Sequence, residues 1–303
     1  MITKSYIVKI RANISIYASQ RTANIMDGKY KSIFKGKELD FEDLREYVVG
    51  DDIKDIDWKS SARSGSVLVK RCSAEKKHNI MFVLDTGKKM TAHTKAAQSK
   101  AETALMSMGT IAYLAQSNGD YVGAIYSKDN SYVMCPLKCG LNNLETILYN
   151  YERDIATGSL SIESILDHIG KTQKRKMILF VITDLAGMAC VEEYTLKKLS
   201  HIHDVLFVNI SDMDMTGPNL PNMPGTKPAA DAYDWDHGCY IPGLIANDCQ
   251  LQRLEQQIKT KIHTACIEKL KRHRISATTI DKVQEIPHKT IELLERHKYA
   301  NVR

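Results

Sequence analysis

Three apolar runs constrain this 303-residue chain most: Asn79 to Asp85 (NIMFVLD), Met177 to Asp184 (MILFVITD) and Asp204 to Ile210 (DVLFVNI). A strand with one face in water alternates polar with apolar residues, whereas a strand buried on both faces does not. Between and around these runs the sequence takes on helical character, over Ala96 to Ala115, Leu141 to Tyr151 and Ile162 to Ile169. Asn118-Gly119-Asp120 turns the chain into a further strand, Tyr121 to Tyr126, with Tyr132 to Cys135 suited to an antiparallel edge beside it. Downstream, Leu244 to Arg272 reads as one long helix or two in tandem, Ile275 to Ile280 as a last strand and His288 to His297 as a closing helix. Strands spaced by helices of this length predict an α/β fold, a doubly wound and mostly parallel sheet covered on both faces with right-handed crossovers.

Interruptions set the expected organisation. Gly217-Pro218, Pro221, Pro224-Gly225 and Pro228 break the rhythm, so an irregular loop is expected over about 213–243. Residues 78–303 are expected to form the α/β domain, preceded by an N-terminal extension over 1–77. Ile7, Val8, Ile10, Ile14 and Ile16 fit neither a helical stripe nor an alternation, and they are expected to lie against the charged stretch downstream.

That stretch runs from Gly36 to Arg71. Between Asp40 and Asp57 eight acidic residues stand against Arg45 and Lys54, and from Trp58 to His78 six basic residues stand against Glu75. So dense a reversal reads as a folded element whose charges meet one another or a partner. Buried carboxylates must be paired, and Arg45 and Arg63 are natural partners for the acids. A salt-bridged cap with no functional surface would carry the same pattern.

The residues Glu38-Leu39-Asp40-Phe41, Arg45-Glu46-Tyr47, Gly50-Asp51-Asp52, Ile56-Asp57-Trp58-Lys59 and Ala62-Arg63 come in order at fixed spacing. This series resembles the signature of the domain of unknown function 58 family, von Willebrand factor A-like bacterial proteins associated with MoxR-type AAA+ ATPases. The resemblance implies the same fold that the periodicity predicts. It also implies an adaptor protein that works with such an ATPase in maturing or assembling protein complexes, together with a client protein. Arg45, Asp51, Asp52, Asp57, Trp58, Lys59 and Arg63 are then candidate partner-binding residues.

Chemistry in an open parallel sheet belongs at the carboxyl ends of its strands, and two of the apolar runs end in aspartate, Asp85 and Asp184. A von Willebrand factor A domain holds a divalent ion there with Asp-x-Ser-x-Ser, a middle-loop threonine and a later aspartate. By that resemblance Asp85 and Asp184 match the aspartates, but the serine positions are Gly87 and Lys89. Glycine has no donor and a lysine ammonium gives nothing to a metal. Thr157, Ser159 and Ser161 are equal candidates for the threonine. The preferred expectation is no cofactor, with Lys89 between Asp85 and Asp184 in a degenerate site that a partner meets. Weak magnesium binding through carboxylates and water stays open beside it, and with it a metal-dependent hydrolase.

The sequence holds no nucleophile elbow, P-loop, dinucleotide fingerprint or His-Glu-x-x-His. Asp85-Thr86-Gly87 has no second copy with which to share a proton. Seven cysteines without framework spacing, the Cys135/Cys139 pair included, read as reduced thiols. His201, His203 and His237 near Cys239 form no ligand spacing. A net charge of +6 is partly local to the basic run Lys259 to Arg274, which lacks the interleaved aromatics of a nucleic-acid surface. No run is long enough to span a bilayer and no apolar leader core follows Met1, so the expected location is cytoplasmic.

Overall fold

Alternate residues of the central strands enter two separate cores. In β3 (Asn79–Leu84) the side chains of Ile80, Phe82 and Leu84 enter one core, while Met81 and Val83 enter the other. This is the period of two of a pleated strand, repeated in β6 (Ile178–Asp184) and β7 (Asp204–Ile210). The computed structural model describes residues 5–17, 25–28, 30, 41–72, 77–216, 232–234, 239–242 and 248–301.

These strands belong to a six-stranded sheet that also contains β4 (Tyr121–Lys128), β5 (Ser131–Lys138) and β10 (Ser276–Ile280). Its order is β10-β7-β6-β3-β4-β5, parallel throughout except for the antiparallel edge pair β4–β5. The chain first winds outward from β3 through β5, then starts again on the other side of β3 with β6. The strand order therefore reverses between β3 and β6, which makes their carboxyl ends the topological switch point of the sheet.

Helices α1 (Tyr6–Tyr17), α3 (Lys100–Ser117), α4 (Leu141–Asp154) and α9 (Ile286–Asn301) supply the first core. Helices α5 (Ile162–Thr172), α6 (Leu185–Ala189), α7 (Glu193–Ile202) and α8 (Cys249–Arg272) supply the second. Helix α3 starts at Lys100 rather than Ala96, because Ala97 has φ +58° and Ser99 caps the helix, its Oγ accepting from the Glu102 amide at 3.3 Å. Two helices between β6 and β7 were not expected. Five residues in α6 are too few to show a period, and α7 buries only Thr195, Leu196 and Leu199.

The opening segment corrects an expectation. Tyr6 to Tyr17 forms a helix on the main domain, with Ile10 in the first core and Ile14 packed against it rather than against the described part of the charged stretch, while the Ile16 side chain lies outside the described residues. Glu145 accepts from the Tyr6 and Ile7 amides at 2.7 and 3.1 Å and so ties the first turn of α1 to α4. Ile10 is fully buried in the first core, close against Gly109 of α3. Ile10→Ala is expected to cost about 2–5 kcal/mol, the range for a buried aliphatic truncation, read as a shift in the urea midpoint. An unchanged midpoint would mean that α1 is not part of the folding unit.

The charged stretch forms its own module. Strand β1 (Phe41–Glu46) pairs antiparallel with β2 (Leu68–Cys72), and α2 (Trp58–Ser64) lies between them in sequence. Glu38 to Asp40 and residues 73–76 lie outside the described residues. So does most of the expected 213–243 loop, His237 included, but within that loop β8 (Ala232–Asp234) and β9 (Cys239–Ile241) pair as a short antiparallel ribbon.

His203 and His297 are buried near the start of β7, both under the influence of Asp204, which pairs with Lys176 at 3.1 Å. Burial pushes both imidazoles below their ordinary value. The Gln173 backbone and Asp204 oppose this at His203; Asp204 opposes it and Lys176 adds to it at His297. Below about pH 6.5 the unfolded chain therefore takes up protons that the folded chain refuses. Stability is expected to fall there by up to about 1.4 kcal/mol per pH unit for each histidine. Urea unfolding from pH 7.5 to 5.5 checks this, and a slope unaltered in His203→Gln/His297→Gln would assign it to other groups.

Candidate functional site at the strand ends

The residue after β3 and the last residue of β6 are aspartates for a local reason: the chain leaves each strand there, and a carboxylate can cap the next turn. Asp85 Oδ1 accepts from the Gly87 amide at 3.0 Å, and Asp184 caps α6 by accepting from the Gly187 amide at 2.8 Å. Their backbones are in register as well, with the Asp85 amide donating to the Ile182 carbonyl at 3.1 Å. Both side chains are buried, so each needs a charged or hydrogen-bonding partner.

Two lysines meet this need. Lys89 lies in a 3-10 turn, Lys88–Thr91, anchored by the fully buried Met90. Its Nζ stands 3.0 Å from Asp85 Oδ2 and 2.7 Å from Asp184 Oδ1. Lys100, in the first turn of α3 and only 1% exposed, places its Nζ 2.8 Å from Asp184 Oδ2 and also pairs with Asp212 Oδ1. Thr183 Oγ1 donates to Asp85 Oδ2 at 2.7 Å. All four oxygens of the two aspartates thus have a donor. The result is an alternating ladder, Asp85–Lys89–Asp184–Lys100–Asp212, running across the switch point.

This geometry sets the electrostatics. Burial alone would lower the Lys89 pKa, but the Asp85 and Asp184 carboxylates override it and hold the ammonium above its usual value. The same contest raises the Lys100 pKa, with Asp184 and Asp212 as the opposing charges. Lys100 needs them doubly, because an ammonium in the first turn of a helix also faces the positive end of the helix dipole. Asp184 goes the other way: burial would raise its pKa, yet the two lysines lower it. Asp212 is raised, by burial above all and also by Asp184, against the pull of Lys100.

Asp85, Lys89 and Asp184 are therefore brought together. Lys100 and Asp212 escaped sequence reasoning, although Asp212 had a signal: it lies two residues past the third apolar run, much as Asp85 closes the first. Lys100 had none, since a lysine at a helix start is ordinarily solvated.

A divalent ion does not fit this donor set. The ammonium of Lys89 bridges the two carboxylates, and position 87 is glycine. The three candidate hydroxyls bond to groups outside the ladder. Thr157 donates to the Asp154 carbonyl at 2.6 Å, Ser159 to Asn130 Oδ1 at 2.7 Å, and Ser161 caps α5 by accepting from the Ser164 amide at 3.2 Å. From this loop Gly158 approaches the site, its amide donating to the Thr86 carbonyl at 3.1 Å. A β-carbon there would overlap Thr86 Oγ1 and Ser127 Oγ, so the approach requires glycine.

The other candidate residues sit in the β1–α2–β2 module, and no hydrogen bond or ion pair among the described residues joins them to the ladder. Arg45 pairs with Asp51 at 2.5 Å, and the second Asp51 oxygen accepts from the Val48 amide at 2.9 Å. Asp57 caps α2, accepting from the Lys59 and Ser60 amides at 3.1 Å each. The Asp52 carbonyl accepts from the Asp55 amide at 3.0 Å, closing a 3-10 turn. Arg63, exposed in the last turn of α2, complements the dipole of that helix. The carboxylates of Asp51 and Asp57 are therefore engaged within the module, one in the turn and one in the helix cap. Beside exposed charges the module presents large apolar side chains: Val49 is 94% exposed, Trp58 65%, with Val48, Ile53 and Val67 also exposed.

The chain has relatives. It is 21% identical over 208 residues to the uncharacterized protein Rv1480 of Mycobacterium tuberculosis (strain H37Rv), a match covering 66% of this chain and 63% of the relative's length. Among solved structures it is similar to an aerotolerance-related membrane protein from Bacteroides fragilis NCTC 9343, at 15% identity and a TM-score of 0.43 over 72% of this chain and 99% of that one. It is also similar to a von Willebrand factor type A protein from Catenulispora acidiphila, at 9% identity and a TM-score of 0.40 over 75% and 44%. The assignment of the fold rests on the strand order and pairing above rather than on these scores. No helix among the described residues is long and apolar enough to cross a membrane. The family described as "Protein of unknown function DUF58" matches residues 43–227, spanning both the charged module and the ladder through Asp212, and the chain belongs to that family.

Proposed function

We propose that this protein is a non-enzymatic adaptor, cytoplasmic in location, that works with a MoxR-type AAA+ ATPase and a client protein in assembling or maturing protein complexes. The observation that supports the reading is the set of exposed large apolar side chains on the β1–α2–β2 module. Exposed side chains as large as Trp58, Val49 and Ile53 on a module of this size cost solubility unless a partner covers them. Trp58 is the residue type most enriched among binding hot spots. On this reading the ATPase takes these side chains, and the client meets the strand-end face, where Lys89 and Asp212 are the partly exposed members of the ladder.

A second reading, a divalent-metal-dependent hydrolase centred on Asp85 and Asp184, would need both carboxylates free to bind an ion. The ammonium groups of Lys89 and Lys100 already hold them.

Affinity capture of the tagged protein from its own cells, with ATP hydrolysis blocked, tests the adaptor reading. A AAA+ ATPase recovered in near-stoichiometric amount by mass spectrometry is the expected result. Recovery of the adaptor alone, at low and at moderate salt, would remove the reading.

A further inference from the structure

We infer that Lys89 is a tethered cation standing where a divalent ion would bridge Asp85 and Asp184, and that this face of the protein works without a metal. The inference deepens the adaptor reading for the strand-end face, but it does not need a partner to be tested.

Three observations carry it. First, the Lys89 ammonium touches one carboxylate from each strand flanking the switch point, at 3.0 and 2.7 Å, so it holds the bridging position itself. Second, the turn that delivers it is fixed: the Met90 amide donates to the Gly87 carbonyl at 2.9 Å and Met90 is fully buried. Third, the other oxygen of each carboxylate is already occupied, Asp85 Oδ1 by the Gly87 amide and Asp184 Oδ2 by Lys100, while the two that Lys89 touches also accept from Thr183 Oγ1 and the Gly187 amide. Magnesium or manganese would have to displace an ammonium that its two carboxylates keep protonated, at a site where positions 87 and 89 supply no hydroxyl and that of Thr183 already donates to Asp85.

The same geometry implies the converse. Gly87 has φ −63° and ψ 157°, a conformation open to any residue, and a β-carbon there would stand 3.2 Å from Asp85 Oδ1, a tight contact that asks the carboxylate to move by a few tenths of an ångström. Gly87→Ser/Lys89→Ser therefore removes the ammonium and supplies two hydroxyls beside two carboxylates.

The experiment is a Mn2+ titration of the full chain, read by calorimetry and by electron paramagnetic resonance. Wild type and Lys89→Arg are expected to give flat titrations. The double variant is expected to bind one Mn2+ saturably, at least roughly tenfold tighter than wild type, and to lose that gain when Asp85→Ala is added. Should the double variant not fold, Lys89→Ala replaces it, and a rise in its melting temperature with Mn2+ but not with K+ is the readout. Saturable Mn2+ binding by wild type overturns the inference, as does a folded variant lacking Lys89 that gains no affinity. Failure of partner capture, with these titrations as expected, would instead count against the adaptor reading alone.

Discussion

Asp184→Ala is expected to cost about 3–5 kcal/mol of folding stability, the range for removing one partner of a buried ion pair. The cost does not come from one lost bond. Asp184 neutralises two ammonium groups, and one of them, Lys100, is almost wholly buried at the positive end of α3. Without Asp184, Lys100 keeps only Asp212, a carboxylate whose own burial favours its neutral form. The cap of α6 at the Gly187 amide is lost as well. Urea unfolding measures the effect, and a loss under about 1 kcal/mol would show that the ladder is not structural. Asp184→Leu/Lys100→Met supplies the contrast. Removing both charges in favour of apolar side chains of similar size should recover part of the loss, because the buried Lys100 ammonium is gone, Lys89 keeps Asp85, and Asp212 is left without its lysine.

The pH dependence of this pair has a definite sign. The folded Asp184 pKa is depressed, so its contribution is complete above the unfolded value of about 3.9 and is lost as pH falls through the folded one. Lys89 is raised, so its contribution is complete below its unfolded value of about 10.4 and disappears only at higher pH. Between those limits the ladder stays fully charged on these two members. Asp212 is raised, so it adds stability rather than losing it as pH falls, and the decline below pH 6.5 belongs to the buried histidines.

Trp58→Ala is expected to reduce capture of the ATPase by at least roughly 30-fold, the equivalent of a hot-spot loss of about 2 kcal/mol. Folding stability should hardly change, since the side chain is mostly exposed and α2 is capped by Asp57 whatever stands at position 58. Adding Val49→Asp should abolish capture, because it puts a charge at the most exposed apolar position of the module. Asp51 variants are expected to behave differently. That carboxylate holds Arg45 and the Val48 amide, so its loss loosens the turn carrying Val48 and Val49 and weakens capture together with hydrogen-exchange protection of the module. Normal capture by Trp58→Ala, in a chain whose melting temperature is unchanged, would move the docking surface off this module.

Local pattern alone determined the sheet and most of the helices. An apolar run buried on both faces has a composition visible within seven residues, so β3, β6 and β7 were legible, and with them Asp85 and Asp184 at their ends. The stripe Leu144, Ile147, Leu148 and Tyr151 likewise declared α4, because apolar residues three and four apart share one face of a helix. Helix α1 was not legible because its apolar residues are spread around the helix, and what orders it is Glu145, far away in sequence. In the module the sequence showed how many charges were present but not which were spent on caps and turns. Asp51 and Asp57 proved internal to it, leaving the apolar residues outside. The tertiary structure alone decided that Lys100 and Asp212 complete the ladder. Positions 100, 184 and 212 have no periodic relation along the chain, and they meet only because α3, β6 and the end of β7 converge on the switch point. Periodicity records which face of an element is buried; the pairing of charges between elements is set by how they pack.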